Sequence, residues 1–247
     1  MRLVNRLAGA ASRRLGRPEL LAAVDSHARQ AQQEAIGIAA VLAGSLRGDG
    51  AYVDVGANRG QVLREAVRIA PRGRHLAFEP IASLAAQIAH DLPQVDCRAK
   101  ALGARAEMAE FCHFRALDGW SGLRRRPEIS DSRGEPEYVT VEVSTLDAEL
   151  GDFAPSVVKI DVEGAELAVL QGGHRSLAAA RPLLIFEHTR EAAALYDAEP
   201  GELWDLLTEM GYEIFSALGE GPFTRAAFIG DGKTVNWLGT PLGAPTP

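Results

Sequence analysis

The sequence is short of cysteine, of long apolar runs and of basic charge, and each shortage excludes a class of protein. Its 247 residues include two cysteines, Cys97 and Cys112, in separate strand-like segments, which do not make a disulfide framework. A reducing cytoplasm is therefore the expected location. The longest apolar run, 35–46, is shorter than the ~20 residues that cross a bilayer, so we expect no stable membrane insertion. The net charge of -7 argues against a nucleic-acid surface.

The first 17 residues stand apart because they contain five arginines and no acidic residue. Apolar side chains lie among these arginines, which is typical of a transit peptide or a membrane-surface helix. A helix that frays or packs on the domain has the same pattern, since chain termini are often loosely ordered. We expect no secretory signal, because no uninterrupted apolar stretch precedes a cleavage-like site.

The length fits one α/β domain with short terminal extensions. A helix is predicted over 18–46, so residues 1–50 form an N-terminal helical extension that covers one side of a sheet. The domain itself is placed at 51–240 and a short tail at 241–247.

Short apolar runs alternate with helical patterns along the domain, which predicts a parallel sheet. The predicted strands are 51–55, 75–78, 95–99, 156–161 and 182–186, and the predicted helices are 61–69, 81–89, 165–170 and 203–210. Two later segments, 212–217 and 225–229, are predicted to form a hairpin that adds an antiparallel strand.

The stretch 52–60 joins a buried strand to a turn with two glycines, and Glu79 follows the next strand. In an open α/β sheet, nucleoside ligands dock beyond the carboxyl ends of such strands. Gly56 and Gly60 permit a tight turn and a close approach of the backbone to a ligand. Asp54 can orient that turn or bind an ammonium group, and Glu79 can accept hydrogen bonds from ribose hydroxyls. The spacing G-x-x-x-G differs from the G-x-G-x-x-G of dinucleotide folds, which disfavours a pyrophosphate site.

A second group of polar residues follows two later strands. Lys159, Asp161 and Glu163 alternate along a strand, so they lie on one face near its carboxyl end. Glu187 and His188 follow the next strand, and either could remove a proton from a substrate, although a lone histidine is more often structural. A divalent ion such as Mg²⁺ or Mn²⁺ is an alternative, with Asp161, Glu163, Glu187 and His188 as its ligands. The Asp-x-Glu spacing is too common to support that interpretation alone.

The stretch 115–136, which contains Trp120, is the least regular part of the chain. We interpret it either as a mobile loop over the cofactor crevice or as a solvated excursion between strands at 110–114 and 138–143. Long loops are commonly one or the other.

Taken together, these motifs resemble the FkbM-type methyltransferases of the class I S-adenosylmethionine-dependent fold. The matching segments are 54–60, 78–80, 101–103, 144–147, 158–166 and 186–187. Their order, and the string Lys-Ile-Asp-Val-Glu-Gly-Ala-Glu at 159–166, make the set specific. The resemblance implies a Rossmann-like α/β fold with a seven-stranded, mostly parallel sheet, an antiparallel last strand and helices on both faces.

By the same resemblance, S-adenosylmethionine is the cofactor. The residues that it assigns to the methionine end are Asp54, Gly56, Ala57, Asn58 and Gly60. It assigns Glu79 to the ribose, and Pro80, Ile81, Ala101 and Leu102 to the adenine. Asp161 would approach the methionine portion or the reacting centre.

Members of this family methylate hydroxyls on sugars and secondary metabolites, so the resemblance implies O-methylation of a small hydroxylated acceptor. We expect His188 or Glu187 to be the base, with Asp161 and Glu163 arranging the site. Two other classes stay open, a nicotinamide-dependent oxidoreductase and a catalytically silent S-adenosylmethionine-binding module. A homo-oligomer is compatible with the sequence.

Overall fold

A computed structural model describes residues 18–115, 120–125 and 135–244. The arginine-rich segment 1–17 lies outside these residues, as do the end of the predicted tail and much of the irregular stretch 115–136. Within the described ranges, no helix combines the length and the apolar character that a membrane span requires.

The described residues form strands and helices that alternate over most of the chain. In chain order the strands are β1 (Tyr52–Val55), β2 (His75–Phe78), β3 (Val95–Arg98), β4 (Ala101–Leu102), β5 (Glu107–His113), β6 (Glu137–Ser144), β7 (Val157–Ile160), β8 (Leu183–Glu187), β9 (Tyr212–Ser216) and β10 (Asn236–Pro241). The helices are α1 (Pro18–Ser45), α2 (Gln61–Ile69), α3 (Ala82–Asp91), α4 (Leu146–Leu150), α5 (Glu166–Gly172), α6 (His174–Ala180), α7 (Arg190–Ala194), α8 (Glu202–Glu209) and α9 (Arg225–Gly230).

Seven of these strands form the main sheet, in the order β3-β2-β1-β7-β8-β10-β9. The five strands from β3 to β8 are parallel, and β10 runs antiparallel to both of its neighbours. This confirms the predicted seven-stranded, mostly parallel sheet with an antiparallel last strand. The strand order reverses between β1 and β7, so a crevice opens at their carboxyl ends, where open α/β sheets bind ligands.

Helices cover both faces of the main sheet. Side chains of β1 are buried in two hydrophobic clusters, one on each face of the sheet, because successive side chains of a strand point to opposite faces. Val53 and Val55 join one buried cluster, and Tyr52 joins the other. Every residue of β1, β2 and β7 is buried, as expected for strands covered on both sides.

The helix α1 covers one side of the sheet, as predicted. Ile38 and Leu42 on this helix, and Leu46 just after it, are buried in the same cluster as Tyr52. The buried carboxylate of Glu34 accepts hydrogen bonds from the backbone N–H and side-chain amide of Asn236, at 3.2 and 2.8 Å. These contacts attach the helical extension to the start of the last strand.

The predicted hairpin is wrong in its second segment. Residues 225–229 form the helix α9, whose first turn is capped by the Thr224 hydroxyl accepting from the Ala227 N–H at 3.3 Å. The last strand is instead β10, which begins at Asn236. A short run of apolar residues fits a helix or a strand equally well, and β10 includes a glycine, a threonine and a proline, which weakens its strand pattern.

A second sheet of three strands, in the order β4-β6-β5, stands beside the carboxyl edge of the main sheet. The predicted strands 110–114 and 138–143 are the paired β5 and β6. The residue Gly122, from the irregular stretch, forms a bridge with Cys112 in which each backbone N–H donates to the other residue's carbonyl, at 3.1 and 2.9 Å. The described part of that stretch is therefore joined to the second sheet by hydrogen bonds.

Candidate active site

A cavity of about 410 Å³ opens between the carboxyl ends of the main strands and the second sheet. The lining residues are Val55, Gly56, Asn58, Phe78, Glu79, Pro80, Ile81, Lys100, Ala101, Leu102, Phe111, Trp120, Ser121, Leu123, Asp161, Val162, Glu163, Ala165 and Glu187. Most of the residues predicted to hold a cofactor are thus brought together. Asp54, Ala57 and Gly60 do not line the cavity but lie behind its wall.

The turn after β1 owes its shape to backbone packing. Gly56 has a φ of 81°, and a Cβ there would overlap the carbonyl oxygen of Asp161 in the turn after β7. The close approach of two neighbouring turns therefore already requires a glycine here, and the same residue lines the cavity. Gly60, with a φ of 69°, precedes α2 and has more room, because the nearest atom to its Cβ would be 3.4 Å away, on Ile88.

Glu79 is a buried carboxylate fixed at the end of β2. One of its oxygens accepts a hydrogen bond from the Asn58 N–H at 2.8 Å, and the other accepts from the Ile81 N–H at 2.9 Å. A carboxylate can accept about four hydrogen bonds, so acceptor capacity remains for a ribose. The side-chain oxygen of Asn58 is buried and has no hydrogen-bond partner among the described residues. These polar groups fit the sugar and amino-acid parts of S-adenosylmethionine.

The side of the cavity beside Glu79 is apolar. Pro80 and Ile81 follow β2, while Ala101 and Leu102 come from β4. Phe111 of the second sheet adds an aromatic ring to this wall. A flat, largely apolar adenine ring suits such a lining.

The other side of the cavity is strongly acidic. Lys159 lies behind it, with its Nζ 2.9 Å from Asp161 Oδ2 and 3.6 Å from Asp54 Oδ1. Burial raises the pKa of Asp54 despite the opposing charge of Lys159. Burial on its own would lower the pKa of Lys159, but the charges of Asp161 and Asp54 outweigh it and raise that pKa.

Glu163 and Glu187 complete the acidic side. One carboxylate oxygen from each of Asp161, Glu163 and Glu187 lies within 4.8 Å of the others. Burial, with the negative charges of Asp161 and Glu163, raises the pKa of Glu187 to about 9. Glu187 is therefore protonated near neutral pH.

Glu166 fixes the turn that carries Glu163. The buried Glu166 carboxylate accepts hydrogen bonds from the N–H groups of Val162 and Gly164, at 3.0 and 3.1 Å. Burial raises its pKa to about 7. Glu163 has a φ of 59°, a strained value for a residue with a side chain, and the two hydrogen bonds hold it there.

The structure does not bring His188 to the acidic side. Glu187 and His188 are consecutive in an extended segment, so their side chains point to opposite faces. The His188 ring stacks on Phe228 with centroids 5.1 Å apart, beside a different cavity of about 440 Å³. Burial lowers its pKa to about 4, so the ring is neutral. Of the four alternative metal ligands, Asp161, Glu163 and Glu187 are therefore close together, and His188 is not among them.

Sequence reasoning did not identify Lys100, Phe111, Ser121 and Leu123 as cavity residues. Trp120, Ser121 and Leu123 line the cavity from the irregular stretch, and Lys100 lines it just before β4. The Ser121 hydroxyl accepts a hydrogen bond from the Phe114 N–H at 3.0 Å, which holds this segment on the second sheet. The only signal in the sequence was the tryptophan itself, placed in a loop expected near the crevice.

The sheet order, the antiparallel last strand and the carboxylate at the end of β2 define a class I methyltransferase. The model of the Methyltransferase FkbM domain matches residues 54–214, and the chain belongs to this family. Its cofactor is S-adenosylmethionine.

Comparison with individual proteins gives weaker similarities. The chain is 26% identical over 204 residues to the AMB antimetabolite synthetase AmbE of Pseudomonas aeruginosa, covering 67% of this chain and 10% of that protein. The chain thus spans about a tenth of that relative's length. A solved FkbM methyltransferase from Methylobacillus flagellatus is 17% identical, with a TM-score of 0.49, covering 78% of this chain and 44% of that one. An O-methyltransferase from Bacillus cereus in complex with SAH is 9% identical, with a TM-score of 0.45, covering 85% and 79%.

Proposed function

We propose that the protein transfers the methyl group of S-adenosylmethionine to a hydroxyl of a small acceptor, a sugar or a secondary metabolite. The observation that carries this proposal is the set of three carboxyl groups, on Asp161, Glu163 and Glu187, in the wall of the cofactor cavity. An alcohol must lose its proton when its oxygen is methylated, and a carboxylate can accept that proton.

The Glu79 side of the cavity binds the cofactor, and the acidic side receives the proton of the acceptor. The cofactor supplies an electrophilic methyl group, so the protein chiefly has to orient the acceptor and exclude water. Glu79 and Asn58 hold the polar parts of the cofactor, and Pro80 with Leu102 covers its adenine. Trp120 and Leu123, in the irregular stretch beside the second sheet, enclose the cavity and limit the access of water.

We assign the role of general base to Glu187. It lines the cavity, whereas His188 lies beside another one. The raised pKa of Glu187 makes its ionised form a stronger base than an ordinary carboxylate, at the expense of the fraction that is ionised near neutral pH. A positive charge bound nearby would lower that pKa and increase the ionised fraction.

The experiment is single-turnover methylation with isotopically labelled S-adenosylmethionine and an extract of the host, followed by mass spectrometry to identify the methylated compound. We expect Glu187→Gln to slow transfer to that compound by about 100-fold or more, which is typical for loss of a general base. Glu191→Gln, a change at an exposed glutamate on α7, is the matched control and should keep the wild-type rate. Binding of S-adenosylhomocysteine to both variants should stay within about threefold of wild type, because neither change touches Glu79.

Three results would contradict the proposal. Wild-type transfer by Glu187→Gln together with slow transfer by His188→Ala would make His188 the base. Label found on nitrogen, carbon or sulfur would exclude O-methylation. Loss of activity in EDTA, restored by Mg²⁺ or Mn²⁺, would show that the three carboxyl groups bind a metal ion rather than a proton.

A further inference from the structure

Lys159 is a buried lysine that does not line the cofactor cavity. It is on β7, paired in register with Asp54 on β1, so the two side chains leave the sheet on the same face. Only 6% of Lys159 is exposed, and Asp54 is 1% exposed. Lys159 and Asp54 both lie behind the cavity wall, whereas Asp161 is part of it.

The ammonium group of Lys159 connects the hidden carboxylate to the one in the wall. It lies 2.9 Å from Asp161 Oδ2, a hydrogen-bond distance, and 3.6 Å from Asp54 Oδ1. A buried charge is stable only if it is paired. Without the ammonium group, Asp54 and Asp161 would face each other as two carboxylates of the same charge.

Repulsion between the Asp161 and Glu163 carboxylates in the wall makes this pairing more important. Glu163 and Glu187 have carboxylate oxygens within 4.8 Å of an Asp161 oxygen. Asp161 therefore has the negative Glu163 and the protonated Glu187 on the cavity side, and a positive neighbour behind it. Its orientation depends on the attraction from behind.

We propose that Lys159 is a positioning residue for cofactor binding: from behind the wall, it holds the Asp161 carboxylate at the place where the amino-acid end of the cofactor binds. Lys159 itself touches no ligand. This role concerns the cofactor and is independent of which acceptor is methylated.

The test is a double-mutant cycle read by calorimetric titration with S-adenosylhomocysteine. We expect Lys159→Met and Asp161→Asn each to weaken binding by about tenfold. The double variant should be little weaker than Asp161→Asn alone, because Lys159 acts through Asp161. Lys233→Met, a change at an exposed lysine, is the matched control and should bind as wild type does.

A purely structural salt bridge gives a different pattern. It would lower the melting temperature of Lys159→Met but leave the affinity of the folded protein unchanged, and that result would overturn the proposal. A double variant whose loss of binding free energy equals the sum of the two single losses would overturn it too. If Lys159→Met does not fold, Lys159→Arg keeps the charge and changes its geometry. We then expect threefold to tenfold weaker binding, again not additive with Asp161→Asn, and wild-type binding by this variant would contradict the proposal.

Discussion

Glu79 and Glu187 are the same residue type at the carboxyl ends of two strands in one sheet, and both line the same cavity. Their surroundings differ. Glu79 accepts hydrogen bonds from two backbone N–H groups, whereas Glu187 is buried among other acidic groups that raise its pKa to about 9. Donors favour the charged form of a carboxyl group, and burial beside like charges favours the neutral form. One cavity therefore contains a carboxylate held by backbone donors and a carboxyl group that is protonated near neutral pH.

The turn after β1 and the turn after β7, on the two sides of the cavity, are packed against each other. Gly56, on the Glu79 side, packs so closely on the Asp161 carbonyl that no side chain fits. We expect Gly56→Ala to lower the free energy of unfolding by about 4 kcal/mol or more, because two backbones would have to separate. Gly60→Ala is the matched control, with only the cost of a positive φ, about 1–2 kcal/mol. Denaturant titration of both variants measures the difference, and equal losses would show that the two turns are not packed together.

The Glu79 side should govern affinity for the cofactor. Glu79→Gln keeps the shape of the side chain but replaces one oxygen with an NH₂ group, which cannot accept from a backbone N–H. We expect S-adenosylhomocysteine to bind about 10- to 100-fold more weakly, since hydrogen bonds to charged groups contribute about 1.5–3 kcal/mol. Calorimetric titration of this variant beside Glu65→Gln, at an exposed position on α2, measures the effect. If Glu187→Gln weakens binding as much as Glu79→Gln does, the claim that the Glu79 side governs cofactor affinity is wrong.

The Glu187 side should govern how stability depends on pH. The folded pKa of about 9 lies above the unfolded value of about 4.3, so the folded state holds a proton that the unfolded state has lost between these values. The contribution of this group to stability is complete below about pH 4 and is lost as the pH rises through 9. Glu187→Gln cannot ionise, so its stability should fall less between pH 6 and 9, by at least about 1 kcal/mol. Thermal melts of both proteins across this range would contradict the assignment if the two curves stayed parallel.

The features that the sequence predicted correctly are mostly local. The turn after β1, the acid after β2 and the 158–166 segment are motifs of only a few residues each. Together they indicate the family, and the family implies the architecture of the sheet. Which of Glu187 and His188 lines the cavity was not predictable, because adjacent residues on a strand face opposite sides and the sequence does not say which side holds the cavity. The second sheet and the placement of Trp120 depend on pairing between distant segments. The segment 225–229 satisfied both helix and strand patterns, and the Thr224 cap decided for a helix.

The most direct measurement is calorimetric titration of the folded wild-type protein with S-adenosylhomocysteine, with NADH as the comparison ligand. We expect one binding site per chain for S-adenosylhomocysteine, binding that Glu79→Gln weakens, and no heat of binding for NADH. A folded sample that gives no heat with S-adenosylhomocysteine or S-adenosylmethionine, or that binds NADH in their place, would contradict the assignment of this cavity to the cofactor.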